Sequence, residues 1–261
     1  MTNHRLYISA STQKGNVGVG AYGTEQDRMQ YLADRIKYWL ETQKGRFTIF
    51  RNKPGWTLQQ TVDDCNKLDC EAFADYHSDA GPVEQIAGDG GAEGTTAFYY
   101  GPGGTTSNSY RLASLLYKYA APLSLGVDRG VKADSVLYAS GLFVIRNTDP
   151  AAALIEMLFH TNVNEVNNYL SKVELFAREQ AKAWCEYCGE KWEEHVVVTP
   201  IVLPLPKPTW EHILDKVSTN PIEWKEAITV AVNAAKADGN LGVLEIFQYL
   251  PELLVKAYEA K

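Results

Sequence analysis

The chain has 261 residues, 45% of them hydrophobic, and a formal net charge of -7. That is enough apolar material for one ordinary domain and a small appendage, and it argues against a disordered chain. The acidic balance excludes a reader of nucleic-acid backbones, which draws its affinity from clustered Lys and Arg, and no apolar run is long enough for membrane insertion.

In chain order, "RLYIS" reads as a strand that breaks into the small polar residues of "ASTQKGN". A Gly-rich loop runs on to Gly23. Met29, Leu32, Ala33, Ile36, Trp39 and Leu40 then recur at helical spacing, with Thr24 as N-cap. "FTIFRN" is a strand and "TLQQTVDDCNKL" a helix; "CEAFADYHSDA" carries a strand that ends in polar residues around His77. "GTTAFYYG" is a further strand, followed by a helix from about Ser107 to Ala121. "LFVIRNT" reads as a short strand, "PAAALIEMLFH" as a buried one, and "NEVNNYLSKVELFAREQAKAWCEYCG" as a long helix.

Strands that alternate with helices predict an α/β domain, its central sheet mixed but largely parallel and flanked by helices on both faces. Ligands of such folds gather at the carboxyl ends of strands. That places Ser9 to Asn16, His77 to Ala80 and Glu156 to Asn162 on one rim.

The domain is expected to span 1–193. Prolines at 200, 204, 206 and 208 mark 194–209 as a stiff, extended linker. Beyond it, 210–261 shows helical periodicity interrupted by Pro221, Gly239 and Pro251, as in a small all-α domain for cell-wall targeting or homo-oligomerisation. The four cysteines fall as Cys65 with Cys70 and Cys185 with Cys188; the second pair, in "CEYC", offers a zinc knuckle or redox pair, but it lies at the tail of a helical pattern without a βαβ context for redox chemistry, which favours structural thiols.

Four polar residues depart from the core pattern. Glu25 opens a helix, where an acid also simply complements the helix dipole. His77 ends a strand and reads equally as a satisfied rim histidine. Glu156 lies inside "AAALIEMLF", where an ionised carboxylate is costly unless paired with an Arg or bound to a metal. His160 shares a face with Glu156 if the strand stays extended, or else points into the turn. Two imidazoles and two carboxylates on one rim are the ingredients of a mononuclear metal hydrolase.

In order and surroundings these segments resemble the amidase-3 family of zinc-dependent N-acetylmuramoyl-L-alanine amidases, which includes phage endolysins and bacterial autolysins. The segments are "LYISASTQKGNVGVGAYGTEQDRM", "FADYHSDA", "GTTAFYYGPGGTTSNSYRLA", "RGVK" and "LFVIRNTDPAAALIEMLFHTN". The resemblance covers about three quarters of the chain. It implies one Zn2+ per catalytic domain, with Glu25 and His77 as ligands and Glu156 as the catalytic carboxylate. Arg129 and Asn162 take the places of substrate-binding residues. The implied reaction is hydrolysis, in bacterial peptidoglycan, of the amide between N-acetylmuramic acid and the L-alanine of the stem peptide.

One departure stands out. The family carries a zinc-binding His at the end of the first strand, where this chain has Thr12 beside Gln13. A Gln carbonyl is a weak, hard ligand and a Thr hydroxyl a poor one. His160, where the family is aliphatic, is a second candidate to supply the lost imidazole. The alternative is a catalytically impaired peptidoglycan-binding module of the same fold that has lost its metal. Without a signal-like apolar N-terminus, the chain is expected to be made in a host cytoplasm and to act on the wall after release, as endolysins do.

Overall fold

In the computed structural model, residues 3–81 and 92–194 are described. Except for Glu194, the expected linker (194–209) and helical segment (210–261), with their targeting or oligomerisation role, lie outside these residues.

The described residues form six strands and five α-helices. They are β1 (His4–Ala10), α1 (Glu25–Glu41), β2 (Phe47–Phe50), α2 (Leu58–Lys67), β3 (Ala72–Asp79), β4 (Thr96–Tyr99), α3 (Asn108–Ala120), β5 (Val131–Ala133), α4 (Phe143–Asn147), β6 (Ala151–Phe159) and α5 (Val163–Tyr187). The sheet order is β2-β1-β3-β6-β4-β5. Every neighbouring pair is parallel except β4 with β6. The strand after β3 thus enters from the opposite direction, which makes the sheet mixed, as expected.

The central strands are apolar nearly throughout because helices cover both of their faces. Tyr7, Phe73, Ala152 and Leu154 point to one side, where Val62 and Cys65 of α2 and Val144 and Ile145 of α4 close a core cluster. α1, α3 and α5 pack together elsewhere on the sheet. On α5, Tyr169, Phe176 and Trp184 are buried, each worth roughly 2 kcal/mol by area. The Trp184 indole N–H donates to the Tyr76 hydroxyl at 3.1 Å, so the one polar atom of that ring is satisfied.

"LFVIRNT" is not a strand. Phe143–Asn147 forms α4, with Val144 and Ile145 turned into the α2 cluster. Asp134, fully buried, ion-pairs with Arg146 and accepts the Leu142 N–H at 3.2 Å. This long-range anchor folds the segment against the strand propensity of its β-branched residues. The edge strand β5, "VKA", has no counterpart in the sequence reading.

Candidate active site

The loop after β1 is shaped to present Glu25. Asn16 O accepts the Glu25 N–H at 2.8 Å, Gly18 N–H donates to Gly23 O at 2.9 Å, and Val17 bridges Thr24. Thr24 then caps α1 by accepting from Asp27 N–H. Gly18 is needed here: a Cβ would collide with the Tyr22 ring and the His160 carbonyl. Glu25 therefore begins the helix as a buried side chain, its Oε2 receiving the Asn16 amide at 2.6 Å.

His77 meets it from β3. Its Nδ1 lies 2.9 Å from Glu25 Oε1, and its Nε2 lies 3.1 Å from Asp75 Oδ2. Asp75 and His77 are two apart on a strand and so share a face. Both ring nitrogens thus face carboxylates; a carboxylate behind one nitrogen is the usual second partner of a metal-binding histidine, and Nδ1, on the Glu25 side, is the nitrogen that would take a metal. Burial by itself would lower the imidazole pKa, but Asp75 and Glu25 outweigh it and hold His77 well above its ordinary value. For Glu25, burial works upward and His77 and Asn16 prevail, leaving the carboxyl below its ordinary range.

Glu156 stands opposite His77 in the β3–β6 register. Its Oε2 is sealed from solvent and finds no hydrogen-bond partner among the described residues, although the residue as a whole is partly exposed. Burial pushes its carboxyl up to about 8; His77 opposes the shift, while Asp79, Glu25 and Asp75 add to it. An orphaned buried acceptor costs about 1–3 kcal/mol and calls for an explanation such as an ion or ligand.

Gln13, an exposed side chain, reaches the same place. Its Nε2 is 3.5 Å from His77 Nδ1, and its Oε1 accepts from Asn16 Nδ2 at 3.0 Å. A half-turn of that amide would direct the carbonyl oxygen to the His77–Glu25 pair. The structure thus gathers Gln13, Glu25, His77 and Glu156. One imidazole held between Glu25 and Asp75, with Glu156 and Asp79 nearby, is a surplus of acidic groups over basic ones that suits a cation. A carboxylate, a neutral imidazole and a carbonyl oxygen are a donor set compatible with Zn2+.

His160 does not follow Glu156 onto this face. The β3–β6 register shifts between His77 and Asp79, a bulge that inserts one residue into β6 and reverses the alternation. The His160 ring instead stacks on Tyr22, with Nδ1 2.9 Å from Ser78 Oγ and 3.0 Å from Ser78 O. The Tyr22 hydroxyl donates to the same Ser78 Oγ at 2.6 Å, closing a buried network that locks the first loop to β3.

Asn162 is the N-cap of α5: its Oδ1 accepts from Asn164 and Glu165 N–H, and its Nδ2 donates to Ala92 O. Arg129 lies over the Phe159 ring, 4.5 Å from the centroid, and donates to Glu93 O. Both side chains have structural partners beside the rim.

Sequence reasoning overlooked Asp75 and the side-chain role of Asn16. The Asp-x-His spacing was a readable signal, since i and i+2 of a strand share a face. Asn16 left no comparable signal, because its contact crosses a loop.

Residues 10–184 match the family described as amidase-3, N-acetylmuramoyl-L-alanine amidase. The chain belongs to that family. It is an N-acetylmuramoyl-L-alanine amidase by class, a peptidoglycan hydrolase. The fold is similar to the catalytic domain of CwlV, an N-acetylmuramoyl-L-alanine amidase of Bacillus (Paenibacillus) polymyxa var. colistinus. That match has a TM-score of 0.59 and 21% identity over 72% of this chain and 99% of that one. An N-acetylmuramoyl-L-alanine amidase of Clostridium difficile 630 matches with a TM-score of 0.60 and 18% identity, over 74% and 100%. The catalytic domain of an endolysin targeting Clostridia difficile matches at 0.55 and 14%, over 73% and 99%. No curated protein matches the chain in sequence. Amidase-3 enzymes are generally zinc-dependent, and this member keeps an imidazole and a carboxylate at the rim while offering Gln13 near the missing histidine's place.

Proposed function

We propose that this amidase works through a zinc ion held by Glu25 and His77, with the Gln13 carbonyl as a weaker third protein ligand and Glu156 as the acid-base group. The observation that carries this reading is Glu156 Oε2, a sealed and unpartnered carboxylate oxygen across the ladder from His77. When bound, zinc would supply Lewis acidity to the scissile carbonyl and to water. The protein's own residues do the rest. Asp75 holds the His77 tautomer through Nε2, and Asn16 holds Glu25. Glu156 accepts a proton from the attacking water and returns one to the departing L-alanine amine. A carboxyl raised to about 8 is suited to both halves of that exchange near neutral pH.

This favours an active hydrolase over a metal-free binding module, which has no use for a costly acid at position 156. Within the class we read the chain as a phage-type endolysin, supported by the modular order in its sequence: amidase segment, Pro-rich stretch, helical segment. Arg129 and Asn162 are assigned to substrate contacts beside the rim, where Arg129 lies over Phe159 and Asn162 caps α5.

The test is digestion of Gram-positive peptidoglycan, with mass spectrometry of the products, in the presence and absence of a chelator. Stem peptides bearing a free L-alanine amine, lost on chelation and restored by zinc, are expected. Undigested wall at every metal condition would overturn the proposal.

A further inference from the structure

A second cluster of ligand-type side chains lies at the opposite end of the strands. His4 opens β1, Glu71 precedes β3, and Cys188 closes α5 as its C-cap. One ligand atom from each lies within 4.8 Å of the others. β1 runs its full length between His4 and the loop that carries Gln13, which separates the two places by roughly 20 Å at strand rise.

We infer that His4, Glu71 and Cys188 form a structural divalent-cation site of zinc type, distinct from the amidase centre. Imidazole, thiolate and carboxylate are the donors that Zn2+ combines, and water completes a tetrahedron from the solvent side, since the Glu71 side chain is 46% exposed.

The two carboxylates around His4 are placed as they would be about a metal-binding histidine. Its Nδ1 faces Glu71 Oε2 at 2.9 Å, while its Nε2 faces Glu190 Oε1 at 3.4 Å. Glu190 is itself fixed by Arg46 Nη1 at 3.1 Å. A carboxylate behind one ring nitrogen, freeing the other toward a carboxylate in front, is the arrangement found at His77 with Asp75 and Glu25. Glu71 is oriented as well, its Oε1 accepting the Arg5 N–H at 3.2 Å. Two ion pairs to a charged His4 would account for Glu71 and Glu190 but leave Cys188 without a role.

Such an ion would tie three separate segments together: the start of the first strand, the lead-in to β3 and the tail of the longest helix. Binding releases the thiol proton and favours the folded chain.

The experiment uses the full chain and Co2+ as the probe. The proposed amidase ligands Gln13, Glu25 and His77 contain no sulfur, so a thiolate-to-cobalt charge-transfer band does not arise from the amidase centre. The band is expected in the wild type, is retained in Cys65→Ser and Cys70→Ser, and is lost in Cys188→Ser while amidase activity stays unchanged. His4→Gln is expected to weaken the same band, which keeps the test decisive if Cys188→Ser folds poorly. Absence of the band from the wild type, or its survival in Cys188→Ser, overturns the inference.

Discussion

Glu156 and His77 are direct partners across the parallel β3–β6 ladder, so an acid with an orphaned buried oxygen and the imidazole of the site are held at a fixed separation by main-chain hydrogen bonds. The spacing of these two groups is thereby set by two central strands of the sheet, while Gln13 and Glu25 come from the first loop and the start of α1. A site on rigid strands keeps its geometry when surface loops vary.

Replacing Glu156 with Gln removes the proton carrier but keeps shape and volume. Amide release is expected to fall by about 10²–10⁴-fold, with zinc content unchanged. Rates from product mass spectrometry, paired with metal analysis, check this. A variant that retains near-wild-type turnover would remove Glu156 from the mechanism.

Asp75 acts through His77. Asp75→Asn exchanges the carboxylate behind Nε2 for an amide and is expected to weaken zinc binding by roughly 10–100-fold. Competition against a chromophoric chelator measures it, and added zinc should recover most of the activity. Unchanged affinity would mean that Asp75 only fills space.

Gln13 distinguishes the two accounts of the missing first-strand histidine. Gln13→Ala is expected to lower zinc affinity, and Gln13→His to raise it by supplying an imidazole from the first loop. If neither substitution moves the titration, the third position belongs to another group.

The metal-free protein should lose stability as pH rises. Glu156 keeps its proton in the folded chain up to about 8, but in the unfolded chain only up to its ordinary value near 4.5. Between those values the folded state binds the extra proton, so its contribution is complete below 4.5 and is gone above about 8. His77, with a raised pKa, works in the same direction: its contribution is full below 6.5 and fades as pH climbs through the folded value. Glu25, with a lowered pKa, works the other way and is lost on acidification. Thermal melts in chelator are expected to show Tm falling across the neutral range, with a shallower slope in Glu156→Gln. A flat profile in both proteins would contradict this.

Away from the site, Asp134→Ala should cost about 2–3 kcal/mol. It leaves Arg146 without its buried partner and strips acceptors from Gly101 and Leu142, discounted because the Arg146 side chain is 21% exposed. Urea denaturation is the measurement, and a loss under about 0.5 kcal/mol would show α4 to be held by its apolar contacts alone.

By itself, the sequence determined the layers. Runs such as "RLYIS" and "AAALIEMLF", alternating with helices of 3.6-residue period, can be buried only in an α/β sandwich, because each periodicity dictates which faces shun water. It also singled out Glu156, because an acid within an apolar strand stands out from its neighbours. Other features depended on contacts between residues far apart in the chain. The bulge between His77 and Asp79 turns His160 toward Ser78 and Tyr22, reversing a face assignment that regular alternation predicts. The ion pair of Arg146 with the buried Asp134 converts a strand-like segment into α4. The cluster of His4, Glu71 and Cys188 draws on three segments whose proximity no local pattern encodes. Periodicity is a property of neighbours along the chain, whereas register shifts, buried ion pairs and ligand clusters arise only when distant segments compete for the same space.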